Sequence, residues 1–143
     1  MALKHYLLLV LVFTSARVFC QSPIGTWKTI DDNTGKQKSH VRIYETKSGK
    51  LQGEVVKILD PARENATCTA CTGTRKDKPV KGMIILWGWK KDGDEWSGGQ
   101  ILDPEKGRQY KCNIQPKGTN ELEVRGYVGF SLIGRTQTWQ RVQ

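Results

Sequence analysis

The chain has 143 residues, of which 37% are hydrophobic, 26% charged and 8% aromatic, and it carries a formal net charge of +9 at pH 7. This length suits one domain with a useful core of its own, and beyond the first twenty residues no apolar run is long enough to span a bilayer. The basic excess suits anionic partners such as lipopolysaccharide, acidic lipid or nucleic acid, or it serves solubility alone, because the lysines are scattered from Lys28 to Lys81.

In chain order, the first segment is MALKHYLLLVLVFTSARVFC, a Lys4/His5 start, an apolar run from Tyr6 to Phe13 and a short stretch with small residues. This is the pattern of a secretory signal peptide, with cleavage expected after Cys20. A lipoprotein anchored through Cys20 is the alternative, and bulky Phe19 disfavours it. Removing residues 1–20 from 143 leaves 123, and the loss of Lys4 and Arg17 lowers +9 to +7. The expected organisation is a signal peptide over 1–20 and one domain over 21–143. Secretion argues against nucleic acid as a partner.

The mature chain alternates apolar and polar residues with a period of two. Leu51, Gly53 and Val55 alternate with Gln52, Glu54 and Val56, and Tyr110, Cys112 and Ile114 alternate with Lys111, Asn113 and Gln115. Glycine-bearing turns separate such runs: NTGK, KSGK, KDGD, PEKG and PKGTN. The pattern predicts eight strands, at about 24–31, 39–47, 50–59, 82–90, 95–103, 108–115, 121–128 and 134–142. Short, evenly spaced strands joined by hairpin turns form an antiparallel meander, and eight of them lose their edges by closing into an up-and-down barrel.

One connection is long. Residues 60–81 are polar and turn-rich, and loops of this length are often functional or mobile. They include CTAC, Cys68 to Cys71, for which a local disulfide is expected in an oxidising compartment, with Cys112 a small buried residue. A redox pair would need a strand-then-helix setting. Zinc would need two further ligands, where the mature chain offers only His40 and Cys112. No metal or cofactor is therefore expected. NAT at 65–67 is a formal glycosylation acceptor, and the two ILDP copies, at 58–61 and 101–104, read as strand ends whose aspartates cap turns.

The first strand holds IGTW and the last holds TQTWQRV. The stretches DGDEWSGGQILDPEKGRQY and RGYVGFSLIGRTQTW lie between them and the middle of the chain. From Ile24 to Val142 the sequence resembles the secreted bacterial domain-of-unknown-function family 2147, which is similar to lipocalins and other calycin barrels. The resemblance implies an all-β, lipocalin-like barrel in the periplasm or outside the cell. It also implies that Arg141 packs across Trp27 to seal one end, with Trp139 among the barrel-closing residues.

Such a barrel has room for one small ligand or is filled by side chains. The candidate ligand contacts are Trp87, Trp89, Tyr110, Arg125, Tyr127 and Arg135, with Tyr110, Ile114, Ile85 and Trp87 expected to point inward. Pointing inward, Arg125 and Arg135 would need acidic or carbonyl partners, an ion pair with Asp103 or Glu95 being expected, or they would bind a ligand carboxylate or phosphate. The sequence predicts a non-enzymatic barrel that binds a small apolar or amphipathic molecule. The alternative is a filled barrel that meets an envelope or extracellular partner, such as an anionic component, through Lys76, Lys78 and Lys81. Hydrolase chemistry lacks a Gly-x-Ser-x-Gly motif, and Asp92, Asp94 and Glu95 sit in a hairpin turn.

Overall fold

The computed structural model describes residues 21–129 and 133–143, so the signal peptide and Cys20 expectations lie outside the described residues. Eight strands follow one another: β1 (Gly25–Ile30), β2 (Gln37–Glu45), β3 (Leu51–Ile58), β4 (Ile84–Asp92), β5 (Glu95–Asp103), β6 (Arg108–Lys117), β7 (Glu121–Tyr127) and β8 (Gly134–Arg141). Each pairs antiparallel with the next, and β8 returns to β1, closing the barrel. This is the architecture that the period-two pattern predicts. Strand ends shift by a few residues. β6 runs through Pro116, where the expected strand stops, because the ladder with β5 begins only at Trp96↔Ile114, so the missing proline N–H falls beyond it.

Residues that pair directly across strands share a face, so the register sorts the two sides of the wall. One face carries Trp27, Val41 and Val55 on β1, β2 and β3, then Ile43, Gly53 and Leu86, and further round Ile114 and Val124, and Leu122 and Trp139. Nearly all are buried, and they form the core. The other face carries Tyr44, Gln52, Trp87, Gln100, Lys111 and Tyr127 in one continuous row. One inward polar pair, Thr29 Oγ1 and Ser39 Oγ at 2.8 Å, satisfies itself, and no buried side-chain nitrogen or oxygen among the described residues lacks a partner.

The long connection is held in place. Within it, the Cys68 N–H donates to the Lys78 carbonyl at 2.8 Å and the Val80 N–H to the Ala66 carbonyl at 2.9 Å, so the segment folds back on itself. Cys68 and Cys71 form a disulfide, with Cα atoms 5.3 Å apart, and both side chains are buried in the core cluster. A side chain at Gly107, in the β5–β6 turn, would run into the Ala70 carbonyl, which fixes how closely the connection packs on that turn. Both ILDP aspartates cap the turns just after them: Asp60 accepts from the Ala62 N–H and Asp103 from the Glu105 N–H, each at 3.0 Å.

Candidate functional site

The barrel interior and its two rims hold half of the candidate ligand contacts. At one end, the Arg141 guanidinium lies 4.2 Å from the centroid of the Trp27 ring. It donates to the carbonyls of Thr119 at 2.6 Å, Ile24 at 3.0 Å and Ser22 at 3.1 Å, while the Trp27 indole donates to the Pro23 carbonyl at 2.8 Å. One planar cation thus ties the N-terminal segment, the β6–β7 turn and the last strand over a buried aromatic ring.

The middle of the barrel is occupied. Trp89 is 1% exposed and its indole donates to the Cys112 carbonyl at 2.9 Å. The ring lies in the space that a side chain at Gly99 would take. At Gly53 the same relationship recurs with Leu86, whose nearest atom is 2.7 Å from where a Cβ would sit. The two glycines make room on the inner wall, and neighbouring side chains fill it. Cys112 shares this interior, where burial pushes its thiol up to about 12, outweighing the opposing hydrogen bond from Trp89.

The opposite rim is laced by ion pairs. Lys38 on β2 meets Glu105 of the β5–β6 turn at 2.6 Å, and Arg63 of the long connection binds the other oxygen of the same carboxylate. β2 and β5 are not neighbours in the barrel, so this pair bridges the rim. Burial alone would raise Glu105, but the hydrogen bonds and charges of Lys38 and Arg63 outweigh it and hold the carboxyl below the ordinary glutamate range. Beside it, Asp32 accepts from Arg135 at 2.8 Å and from the Gln137 amide at 2.6 Å, and Gln137 in turn accepts from the Trp139 indole at 2.8 Å.

The wall divides the six candidate contacts. Trp89, Tyr110 and Arg135 share the inner face by register, with Tyr110 half-buried and Arg135 at the rim. Trp87, Arg125 and Tyr127 are on the outer face. There Trp87 lies under the Arg75 guanidinium at 4.5 Å, Arg125 donates to Thr136 Oγ1 at 2.9 Å and Tyr127 to Asn113 Oδ1 at 3.4 Å. The expectation that Trp87 points inward is corrected. Gly88, at φ +85°, is an extra residue opposite β3, where Leu51 pairs with Trp89 and Gln52 with Trp87, so the two tryptophans leave opposite sides of the wall. The expected acidic partner of Arg135 is corrected as well: it is Asp32 rather than Asp103 or Glu95. Asp32 is 103 positions away from Arg135 in the sequence, and nothing local in DDNTGK marks it.

Comparison with known proteins places this geometry. The model of a family described as "uncharacterized protein conserved in bacteria (DUF2147)" matches residues 25–141. No curated protein matches the chain. Among solved structures, a Helicobacter pylori protein described as belonging to the lipocalin family superposes with a TM-score of 0.75 at 19% identity, covering 85% of this chain and 84% of that one. The similarity is one of fold.

Proposed function

Because the chain belongs to this bacterial family, whose barrel is here closed and internally packed, we infer that it works outside the cytoplasm as a non-catalytic, filled lipocalin-like scaffold whose outer surface meets its partner. The observation that carries this reading is Trp89 over Gly99. An apolar or amphipathic guest in the middle of the barrel would have to displace an indole that is 1% exposed and hydrogen-bonded to Cys112. The Cys68–Cys71 disulfide supports an oxidising compartment, as does the signal-like start of the chain.

Binding in the interior, the other use of an eight-stranded barrel, is tested with an apolar fluorescent probe titrated into the mature protein, beside the variants Trp89→Ala and Trp89→Leu. The filled scaffold predicts no saturable binding in the interior of the native chain, read as an unmoved Trp89 indole, and a gain of binding on truncation to alanine, which leaves an apolar cavity. Leucine, which refills part of the space, gives an intermediate result. Saturable binding by the unsubstituted protein that shifts the Trp89 indole overturns the reading.

A further inference from the structure

The outer face of β1, β2 and β3 carries three basic residues side by side. Lys28 pairs directly with His40, and His40 directly with Lys57, so their side chains stand in one row across three adjacent strands. Like charges at directly opposed positions destabilise a sheet. Other cations of the barrel do have acidic partners, as Arg42 has Glu54 at 3.0 Å and Lys38 has Glu105 at 2.6 Å. Among the described residues no acidic side chain forms such a pair with Lys28, His40 or Lys57. His40 is half-buried, and burial first, then the charges of Lys57 and Lys28, hold its imidazole below the ordinary histidine range. The row thus sets Lys28 and Lys57 on either side of a half-buried imidazole, with no acidic side chain among the described residues within ion-pair distance.

Lys57 also belongs to a second feature. Past it, between the end of β3 and the long connection, lies a groove of about 380 Å³ with Val56, Ile58, Leu59 and Pro61 in its lining together with Lys57, and with Lys81 and Glu64, whose charged groups lie 4.0 Å apart. Lys57, which no acidic side chain among the described residues pairs, stands next to the non-polar side chains of the groove, and this fits a molecule with an anionic head and a non-polar body.

We propose that the Lys28–His40–Lys57 row binds the phosphate of an anionic phospholipid, and that the groove beside Lys57 takes the adjoining non-polar part of the same molecule. The site rests on the outer-surface reading above and gives it a partner class. The phosphodiester lies along the row between Lys28 and Lys57, and its charge favours the protonated imidazole of His40. Binding therefore tightens as pH falls, because burial, and then Lys57 on β3 and Lys28 on β1, which face His40 from the neighbouring strands, hold its imidazole below the ordinary histidine range in the free protein.

The test is an NMR titration of the mature chain, following the His40 imidazole and the Trp89 indole N–H, with short-chain phosphatidylglycerol, short-chain phosphatidylcholine and inorganic phosphate added separately below micelle concentrations. The proposal predicts a saturable shift of His40 with phosphatidylglycerol, a rise in its pKa on binding, and weaker effects from the other two. Substituting Lys28→Gln and Lys57→Gln together lowers the affinity roughly tenfold, and Lys57→Gln alone lowers it severalfold while guarding against a fold defect in the double variant. No shift at His40, or equal binding of inorganic phosphate and phosphatidylglycerol, overturns the proposal. A lipid-dependent shift of Trp89 instead overturns the filled interior, so the two failures are distinguishable.

Discussion

The indole of Trp89 fills the space over Gly99 on the inner wall and anchors to the carbonyl of Cys112, so that β4, β5 and β6 are tied through one side chain. The first prediction rests on this fit. Gly99→Ala places a methyl group where the ring lies, and overpacking of this kind costs about 1–3 kcal/mol. Trp89→Ala removes the ring and costs about 3–5 kcal/mol. Urea unfolding of both variants followed by circular dichroism measures the losses; a Gly99→Ala variant as stable as the parent would mean that the indole does not hold this position.

Arg141 is the second test. Its guanidinium combines the Trp27 face with three carbonyl acceptors, a geometry that an ammonium cannot reproduce. Both Arg141→Ala and Arg141→Lys are expected to lower stability, the alanine variant by about 2 kcal/mol or more. Thermal unfolding distinguishes the outcomes: a lysine variant that keeps full stability would show that charge alone suffices.

The cysteines give a third. Cys112 is buried with its thiol pushed up to about 12, and Cys68 and Cys71 are joined. A thiol reagent at neutral pH should find no reactive thiol in the native protein of residues 21–143 and one after unfolding under non-reducing conditions. Replacing Cys68 and Cys71 by alanine should cost about 2 kcal/mol, as expected for a short closed loop. Limited trypsin digestion should then cut first within residues 60–81, at Arg75 or Lys76, while the barrel persists.

The rim supplies the pH dependence. The carboxyl of Glu105 is held below the ordinary range in the folded chain, so the unfolded chain takes up its proton first as pH falls. The stability from this group is fully present above the unfolded value and is lost as pH drops through the folded one. Glu105→Gln should flatten that part of the acid-side decline and lower stability at neutral pH. Denaturant midpoints measured from about pH 7 to pH 3 read both effects. An unchanged acid slope would remove Glu105 from the account.

Much of the barrel was legible because its rules are local: alternation sets a strand's faces, and glycine marks the turns between strands. Trp87 shows where that logic fails. Two residues from Trp89, it should share its face, and only the register slip at Gly88 separates them. Long-range polar partners were equally hidden. Arg135 with Asp32, and Lys38 and Arg63 with Glu105, meet because closure brings distant strand ends to one rim, and no spacing in the sequence encodes that. The row of Lys28, His40 and Lys57 was invisible for the same reason: its members are 12 and 17 residues apart and become neighbours only through the register. Polarity alone suggested a loose 60–81 connection. Its backbone pairs, which depend on the chain folding back, hold it down together with the disulfide that CTAC predicts.

The filled interior is the central claim, and native mass spectrometry of the mature protein taken from its own compartment, followed by denaturing mass spectrometry of the same sample, tests it most directly. The account predicts a chain of residues 21–143, lighter by the two hydrogens of one disulfide, with no companion molecule retained when bound envelope lipid has been stripped by mild detergent. A discrete adduct that survives detergent and leaves only on unfolding would place a guest inside the barrel and contradict it.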